Sequence, residues 1–250
     1  MRNRRIMLLM FALVGWSIVS ASAQESITLR LRPQAGLVCS IESKELTLVQ
    51  NNGFEVSLNN EIKTTVAFKD VTETQTEIEA QIASLKSNTS AILGIGAKYD
   101  SDYPKGNTPD LAKQYDPLIK KPFDVTYDDK GKAIKGIPKA YDDLLSKVFM
   151  LVFIQFPEDE VSVGSRWSFD TSKISWTYTI TSISKKKVEV SFVGIAKADN
   201  TSGVIEGTAN IHPTMGVITK SSSKLTISMT DTAGNKSNAV MTTTINVKEG

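Results

Sequence analysis

Chemistry in this chain would have to come from one histidine, one cysteine and four acidic clusters. His212 stands beside Pro213 in turn-forming sequence. A zinc site built on His212 and Cys39 would need two carboxylates converging from elsewhere. A Ser-His-Asp triad would need His212, and no strand-elbow motif presents a serine to it. Cys39 lies in the alternation Leu37-Val38-Cys39-Ser40-Ile41, in phase with Leu37 and Ile41, so it reads as a small buried hydrophobe. Asp100-Ser101-Asp102, Asp128-Asp129, Asp142-Asp143 and Glu158-Asp159-Glu160 are the places where a Ca²⁺ site or a glycosidase pair would start. None sets ligands at alternate positions around a glycine at the sixth. They read as solvated loops, or for Asp142 and Asp143 as acids at the positive end of a helix dipole. Gly94-Ile95-Gly96 lacks the third glycine and the strand-to-helix context of a nucleotide loop. These residues predict no catalytic constellation, no metal and no cofactor, and so not an enzyme.

Period-two alternation is the dominant pattern. Ser26–Arg32 puts Ile27, Leu29 and Leu31 on one face and Thr28, Arg30 and Arg32 on the other. Glu61–Lys69 and Thr74–Ile82, joined by a polar turn, predict a hairpin. Ile174, Trp176, Tyr178 and Ile180 share a face, and Val188, Val190 and Phe192 continue after a turn at Ser184–Lys187. Val204–Ile211, Val217–Ser222, Lys224–Met229 and Ala239–Val247 predict four more strands with Pro- and Gly-bearing turns between. Residues 86–122 read as an irregular excursion with a short helix at Asp110–Tyr115. Phe123, Val125 and Tyr127, then Asp128-Asp129-Lys130-Gly131, predict a hairpin over 123–135.

The segment 138–154 predicts a helix. Pro138 suits a first helical position, and Tyr141, Leu144, Leu145, Val148, Phe149 and Val152 fall at helical spacing. Val148 to Ile154 is apolar without a break, so the helix must be enclosed. A helix ending near Lys147 and followed by a strand is the rival reading. The expected class is mostly β with one central helix (α+β): an antiparallel curved sheet or partly closed β-barrel wrapped on an apolar helix. The expected organisation is a single β-rich domain over 24–250, comprising a first strand set (24–85), the excursion, the hairpin, the helix and a second strand set (160–249).

The N-terminus predicts export. Arg2, Arg4 and Arg5 precede the apolar run Ile6–Val19, and Ala21-Ser22-Ala23 supplies small residues for cleavage, as in a signal peptide over 1–23 cut after Ala23. The run is short for a membrane span, which needs roughly 20 apolar residues, and no later segment qualifies. No cysteine follows the cleavage point, so no lipid anchor of that type is expected. The whole chain has 29 basic and 27 acidic residues. Residues 1–23 hold three arginines and no acid, leaving 26 basic against 27 acidic. That near-neutral balance argues against a nucleic-acid partner, which demands a concentrated positive footprint.

Four stretches in this order resemble a family of exported Bacteroidota-type proteins carrying a domain of unknown function. They are Leu29-Arg30-Leu31-Arg32-Pro33-Gln34-Ala35-Gly36, Ile119–Gly136, Phe156-Pro157-Glu158 leading to Val161-Ser162-Val163-Gly164-Ser165-Arg166-Trp167, and Gly203–Gly216. Family members more often carry Asp where Ser165 stands. The resemblance implies export and architecture, and it brings no activity. Within that lineage, Asp231-Thr232-Ala233 matches the Asp-Thr-small-apolar pattern of O-glycosylation, with Thr232 as acceptor.

Two functions suit these features. The first is a non-catalytic envelope protein, periplasmic or secreted, holding an apolar or lipid-like molecule between sheet and helix. Leu145, Phe149, Phe153, Trp176, Tyr178 and Phe192 are the candidate lining. The second is a structural or protein-interaction component of the cell envelope. The same residues would otherwise fill a dry core. The sequence leaves the oligomeric state open.

Overall fold

Long alternating runs can satisfy their backbone hydrogen bonds only by pairing, and here they pair into one sheet. The computed structural model describes residues 25–51, 54–91, 96–171, 174–198, 201–230 and 236–250. The expected leader 1–23, the Asp231-Thr232-Ala233 motif and Gly94-Ile95 lie outside the described residues. After a short β1 (Ser26–Ile27) come β2 (Val38–Asn51), β3 (Phe54–Val71) and β4 (Gln75–Ala91), an up-and-down meander. The far half of β4 pairs with β5 (Gly96–Asp100) and its near half with β6 (Pro122–Asp128), which is followed by β7 (Ala133–Lys135). Between them lies α1 (Pro109–Tyr115), and α2 (Asp142–Val152) follows β7. The chain then runs through β8 (Val161–Ser162), β9 (Arg166–Asp170), β10 (Ile174–Ile183), β11 (Val188–Ala198), β12 (Thr201–Ile211), β13 (Ile218–Thr230) and β14 (Lys236–Glu249).

β14 pairs with β2 from Ser237↔Asn51 to Glu249↔Cys39. That ladder joins the two strand sets into a 12-stranded antiparallel sheet in the order β7-β6-β4-β3-β2-β14-β13-β12-β11-β10-β9, with β5 also on β4. The end strands β7 and β9 do not pair with each other, so there is no closed barrel. Register shifts at Lys63/Thr64, Phe68/Asp70, Ile180/Ser182 and Asn210/Ile211 bend the strands at one end of the sheet.

Four expectations are corrected. Residues 86–91 and 96–100 are strand, because Lys86–Ser90 pairs with Gly96–Asp100, and the irregular part shrinks to the loops around α1. Val217–Ser222 and Lys224–Met229 are parts of one strand, β13, since Ser223 stays in the ladder opposite Gly207 and Thr243. Ser26–Arg32 is strand only at Ser26–Ile27, which pairs with β8. The remainder alternates in burial without pairing as a strand: Leu29 and Leu31 are fully buried, while the amides of Leu31, Arg32 and Gly36 bond to Asp129 and Met215 in two turns and to Phe68 in β3. The helix is shorter than 138–154. Pro138 precedes a 3₁₀ turn (Lys139–Tyr141), and Phe153 caps α2 at its C-terminus.

α2 lies on the inner face of the sheet against β13 and β14. Leu145, Val148, Phe149, Leu151 and Val152 are buried there with Ile41, Ile62, Val66, Ile180 and Ile245. The segment after β1 crosses this end of the sheet. The Leu31 amide donates to the Asp129 carbonyl at 2.6 Å, Arg32 to Met215 at 2.9 Å, and Gly36 to Phe68 at 2.7 Å. Gly216 has φ +67, and a Cβ there would strike the Arg30 carbonyl, so only glycine lets this turn close on the crossing segment. Among the described residues no helix is long and apolar enough to cross a membrane.

Candidate functional site

The isolated polar residues are occupied structurally. The backbone amide of Met215 donates to His212 Nδ1 at 3.3 Å, and Thr214 Oγ1 lies 3.2 Å from that nitrogen. The histidine thus organises the β12–β13 turn. Asp128 Oδ1 accepts the amides of Lys130 and Lys132 at 3.0 and 2.7 Å, an aspartate closing its own turn. Asp100 ion-pairs with Lys86 at 3.3 Å, Glu158 with Lys130, and Glu160 accepts the Ser26 hydroxyl at 2.8 Å. No group of His, Cys, Asp or Glu among the described residues is placed to hold a metal. Cys39 is buried, and burial, with Glu249 adding to it, pushes its thiol pKa up. A thiol so placed is a poor nucleophile.

The aromatic residues converge instead. Alternation sends Tyr127 inward from β6 and Trp176 and Phe169 inward from β10 and β9, while α2 turns Phe149, Met150 and Phe153 toward both. Together with Ile137, Ala133, Gly131 and Gln155 they line an open cleft of about 340 Å³. Its walls come from opposite ends of the sheet, so the sheet curls around α2 and stops short of closing. Tyr127 stacks on Phe153 at 4.6 Å between ring centroids, and Phe149 lies 5.5 Å from Phe153. On the other wall, Trp167 and Phe169 stack on Tyr178 at 5.3 and 5.7 Å, with Trp176 6.2 Å away. The Trp167 indole N–H donates to the Gln155 carbonyl at 2.8 Å, tying β9 to the segment after α2. Ser146 and Asp142 give the cleft a polar side. Burial pushes the phenols of Tyr127 and Tyr178 well above the usual tyrosine range.

Of the six residues predicted to line a ligand site, Phe149, Phe153 and Trp176 border the cleft. Leu145, Tyr178 and Phe192 are buried behind it, where Phe192 packs edge-on to Trp176 at 5.9 Å and 5.7 Å from Tyr178. Sequence reasoning missed Met150, Ile137, Tyr127 and Phe169. Tyr127 and Phe169 alternate in their strands, and Met150 sits in the apolar run of α2. Their convergence depends on which strands end the sheet. A second, polar cleft of about 390 Å³ lies between β4, β5 and the following loop. Its Lys86 and Asp100 pair with each other, and Tyr103 is 72% exposed, so it is a solvated surface.

No family model matches this chain, and no curated protein matches it. Solved structures do. The sheet is similar in fold to part of lipovitellin. The structure concerned describes lipid–protein interactions in lipovitellin. It aligns with a TM-score of 0.57 at 10% identity, over 86% of this chain and 25% of that one. This chain therefore spans about a quarter of the lipovitellin chain's length. An S-type phycobiliprotein lyase from Guillardia theta aligns at TM-score 0.23 and 8% identity, over 84% of this chain and 88% of its own. The translocator domain of the autotransporter NalP from Neisseria meningitidis aligns at 0.25 and 7%, over 86% and 89%. Of these three alignments, the lipovitellin one reaches the level of a shared fold.

Proposed function

We propose that this is an exported, non-catalytic envelope protein that holds an apolar, lipid-like molecule between α2 and the two ends of its sheet. One observation carries the reading: an open sheet brings its two ends to a single aromatic cleft over an apolar helix. Pockets of this kind, mostly apolar with a few polar groups at one side, are where small molecules bind. Lipovitellin, by the description of its structure, contacts lipid, and the shared sheet makes the same ligand class the first to try here. Export rests on the N-terminal pattern and on the family resemblance. Engagement of Asp100, Asp128, Glu158, Glu160 and His212 in turns, ion pairs and hydrogen bonds supports a binding role over a catalytic one.

Native mass spectrometry of protein purified from its own host without denaturation should show a bound species. Delipidated protein should regain it from a fatty-acid mixture and melt at higher temperature. At a hundredfold excess over Kd the stabilisation is about 2.7 kcal/mol. Met150→Arg, which puts a charge in the cleft, should weaken binding about tenfold. Ligand-free protein that shows no thermal response to fatty acids or lysolipids would end this reading.

The interaction reading has its own observation. On the outer face of the sheet, Ile195, Val204 and Leu48 lie in one cross-strand row through Thr226 and Val240, and all three are exposed. Crosslinking in cells should capture a partner that Val204→Lys releases. A protein that stays monomeric and unpartnered excludes it.

A further inference from the structure

Beyond α2 the inner face of the sheet continues outward, and its composition changes row by row. The row next to the helix is polar, with Ser223, Thr243, Glu45 and Asn60 side by side across four strands. The next row runs from Trp176 through Ile205, Leu225 and Met241 to Leu58. The one after runs from Ile174 through Gly203, Ile227 and Ala239 to Val49 and Val56. Neither of these outer rows contains a charged side chain. At about 4.8 Å per strand they extend roughly 30 Å. Ile174, Ile205, Leu225, Ile227, Val49 and Leu58 are half-exposed. Small residues lower the floor: a Cβ on Gly203 would meet its nearest neighbours, Ala196, Leu225 and Ile227, at an ordinary 3.5–3.6 Å. The result is an uncharged, mostly aliphatic trough, with Thr47 as the polar residue of its inner row.

Three features say what covers it. The trough is continuous with the aromatic cleft, because Trp176 is both a wall of the cleft and the first residue of the trough. Its lack of charge suits a hydrocarbon chain. Polar groups that have no use in a dry core lie along its inner border: Thr47 stands in the trough's inner row between Met241 and Leu58, and Asn60 on the polar row beside it. The Thr47 hydroxyl and the Asn60 side-chain oxygen are buried without a hydrogen-bond partner. Lys147 of α2 reaches over the border to Met241, Nζ to Sδ 3.5 Å. A thioether is a weak acceptor for an ammonium group, so the cation keeps its capacity for an anion. Glu45 on the neighbouring row disfavours a second negative charge deeper in.

We propose that this trough is the bed for the acyl chain of an anionic lipid, with the headgroup held at Lys147 and Thr47. The proposal rests on the lipid-holding reading above and adds where the chain lies and what headgroup is chosen. The test uses full-length mature protein, delipidated, with the fluorescent fatty acid cis-parinaric acid and its methyl ester. Ile227→Glu should weaken cis-parinaric acid about tenfold or more. Gly203→Leu, which fills the floor without adding charge, should also weaken it and keeps the test open if Ile227→Glu fails to fold. Lys147→Gln should weaken the acid about fivefold while leaving the methyl ester unchanged. Binding that survives all three variants but is lost in Met150→Arg overturns the trough and leaves the cleft reading standing. Lack of binding by the unaltered protein overturns both. A dimer that Ile227→Glu dissociates, with no fatty acid bound, shows a second copy of the chain on this face and also overturns the proposal.

Discussion

Arg30 shows how much one side chain carries at the end of the sheet. Its guanidinium donates to the carbonyls of Leu29 (2.7 Å), Pro157 (2.9 Å) and Glu158 (2.6 Å), and its Nε lies 3.3 Å from Asp129. It joins the crossing segment, the β6–β7 turn and the chain leaving α2. Charged hydrogen bonds contribute about 1.5–3 kcal/mol each when a partner would otherwise be stranded, and this group is mostly shielded, with 18% of its side chain exposed. Arg30→Ala should lower stability in urea titration by about 2–4 kcal/mol. Arg30→Lys should recover less than half, because an ammonium cannot reproduce the planar fork. A loss under about 0.5 kcal/mol for Arg30→Ala would show that the clamp is dispensable. In the sequence, Arg30 reads as the wet side of a strand. Alternation correctly orients Leu29 and Leu31, but the segment's backbone partners lie in three remote places, two turns and β3, and no local pattern encodes them.

At the scale of elements, the helix and the hairpins were legible because each is written in a run of contiguous residues. The apolar stripe of 141–152 marks the helix; Phe153 and Ile154 continue the apolar run and read as helix, yet they lie beyond its C-terminus and are buried there. The extension of β4 to Ala91 was not legible: Lys86, Asn88 and Ser90 look like loop residues, and they are strand because β3 and β5 flank them. Turns decide how elements dock. Gly216→Ala should cost about 1–2 kcal/mol for the left-handed backbone and more for displacing the Arg30 carbonyl. Gly36→Ala, also at positive φ but with open space around it, should cost only the backbone part. Equal losses in chemical denaturation would refute the docking role of the Gly216 turn.

At the scale of the molecule, the core is rich in buried tyrosine. Burial raises the pKa of Tyr127 and Tyr178, and burial together with the bond from its hydroxyl to Asp116 (2.8 Å) raises that of Tyr99. In the unfolded chain these phenols ionise near 10.0. The folded state therefore keeps protons the unfolded state loses. The stabilisation is complete below about pH 10 and falls as pH rises toward the folded values. Urea midpoints should hold steady through neutral pH and fall above about pH 10, with tyrosinate absorbance appearing together with unfolding. Tyrosinate forming fully while the fold persists would contradict this.

Sequence alone determined the β-rich class, the inward face of most strands, the buried helix and three of the residues at the cleft. These are local properties: side-chain period, turn residues and the length of an apolar run report them directly. Tertiary structure decided that β14 returns to β2, that β7 and β9 end the sheet unpaired, and that their neighbours Tyr127 and Trp176 therefore face one cleft. It also decided that Ile174, Ile227 and Val49, far apart in sequence, share a row. Strand pairing depends on which long-range ladders satisfy the most backbone and bury the most apolar surface together. That is a property of the whole chain, and no single segment carries it.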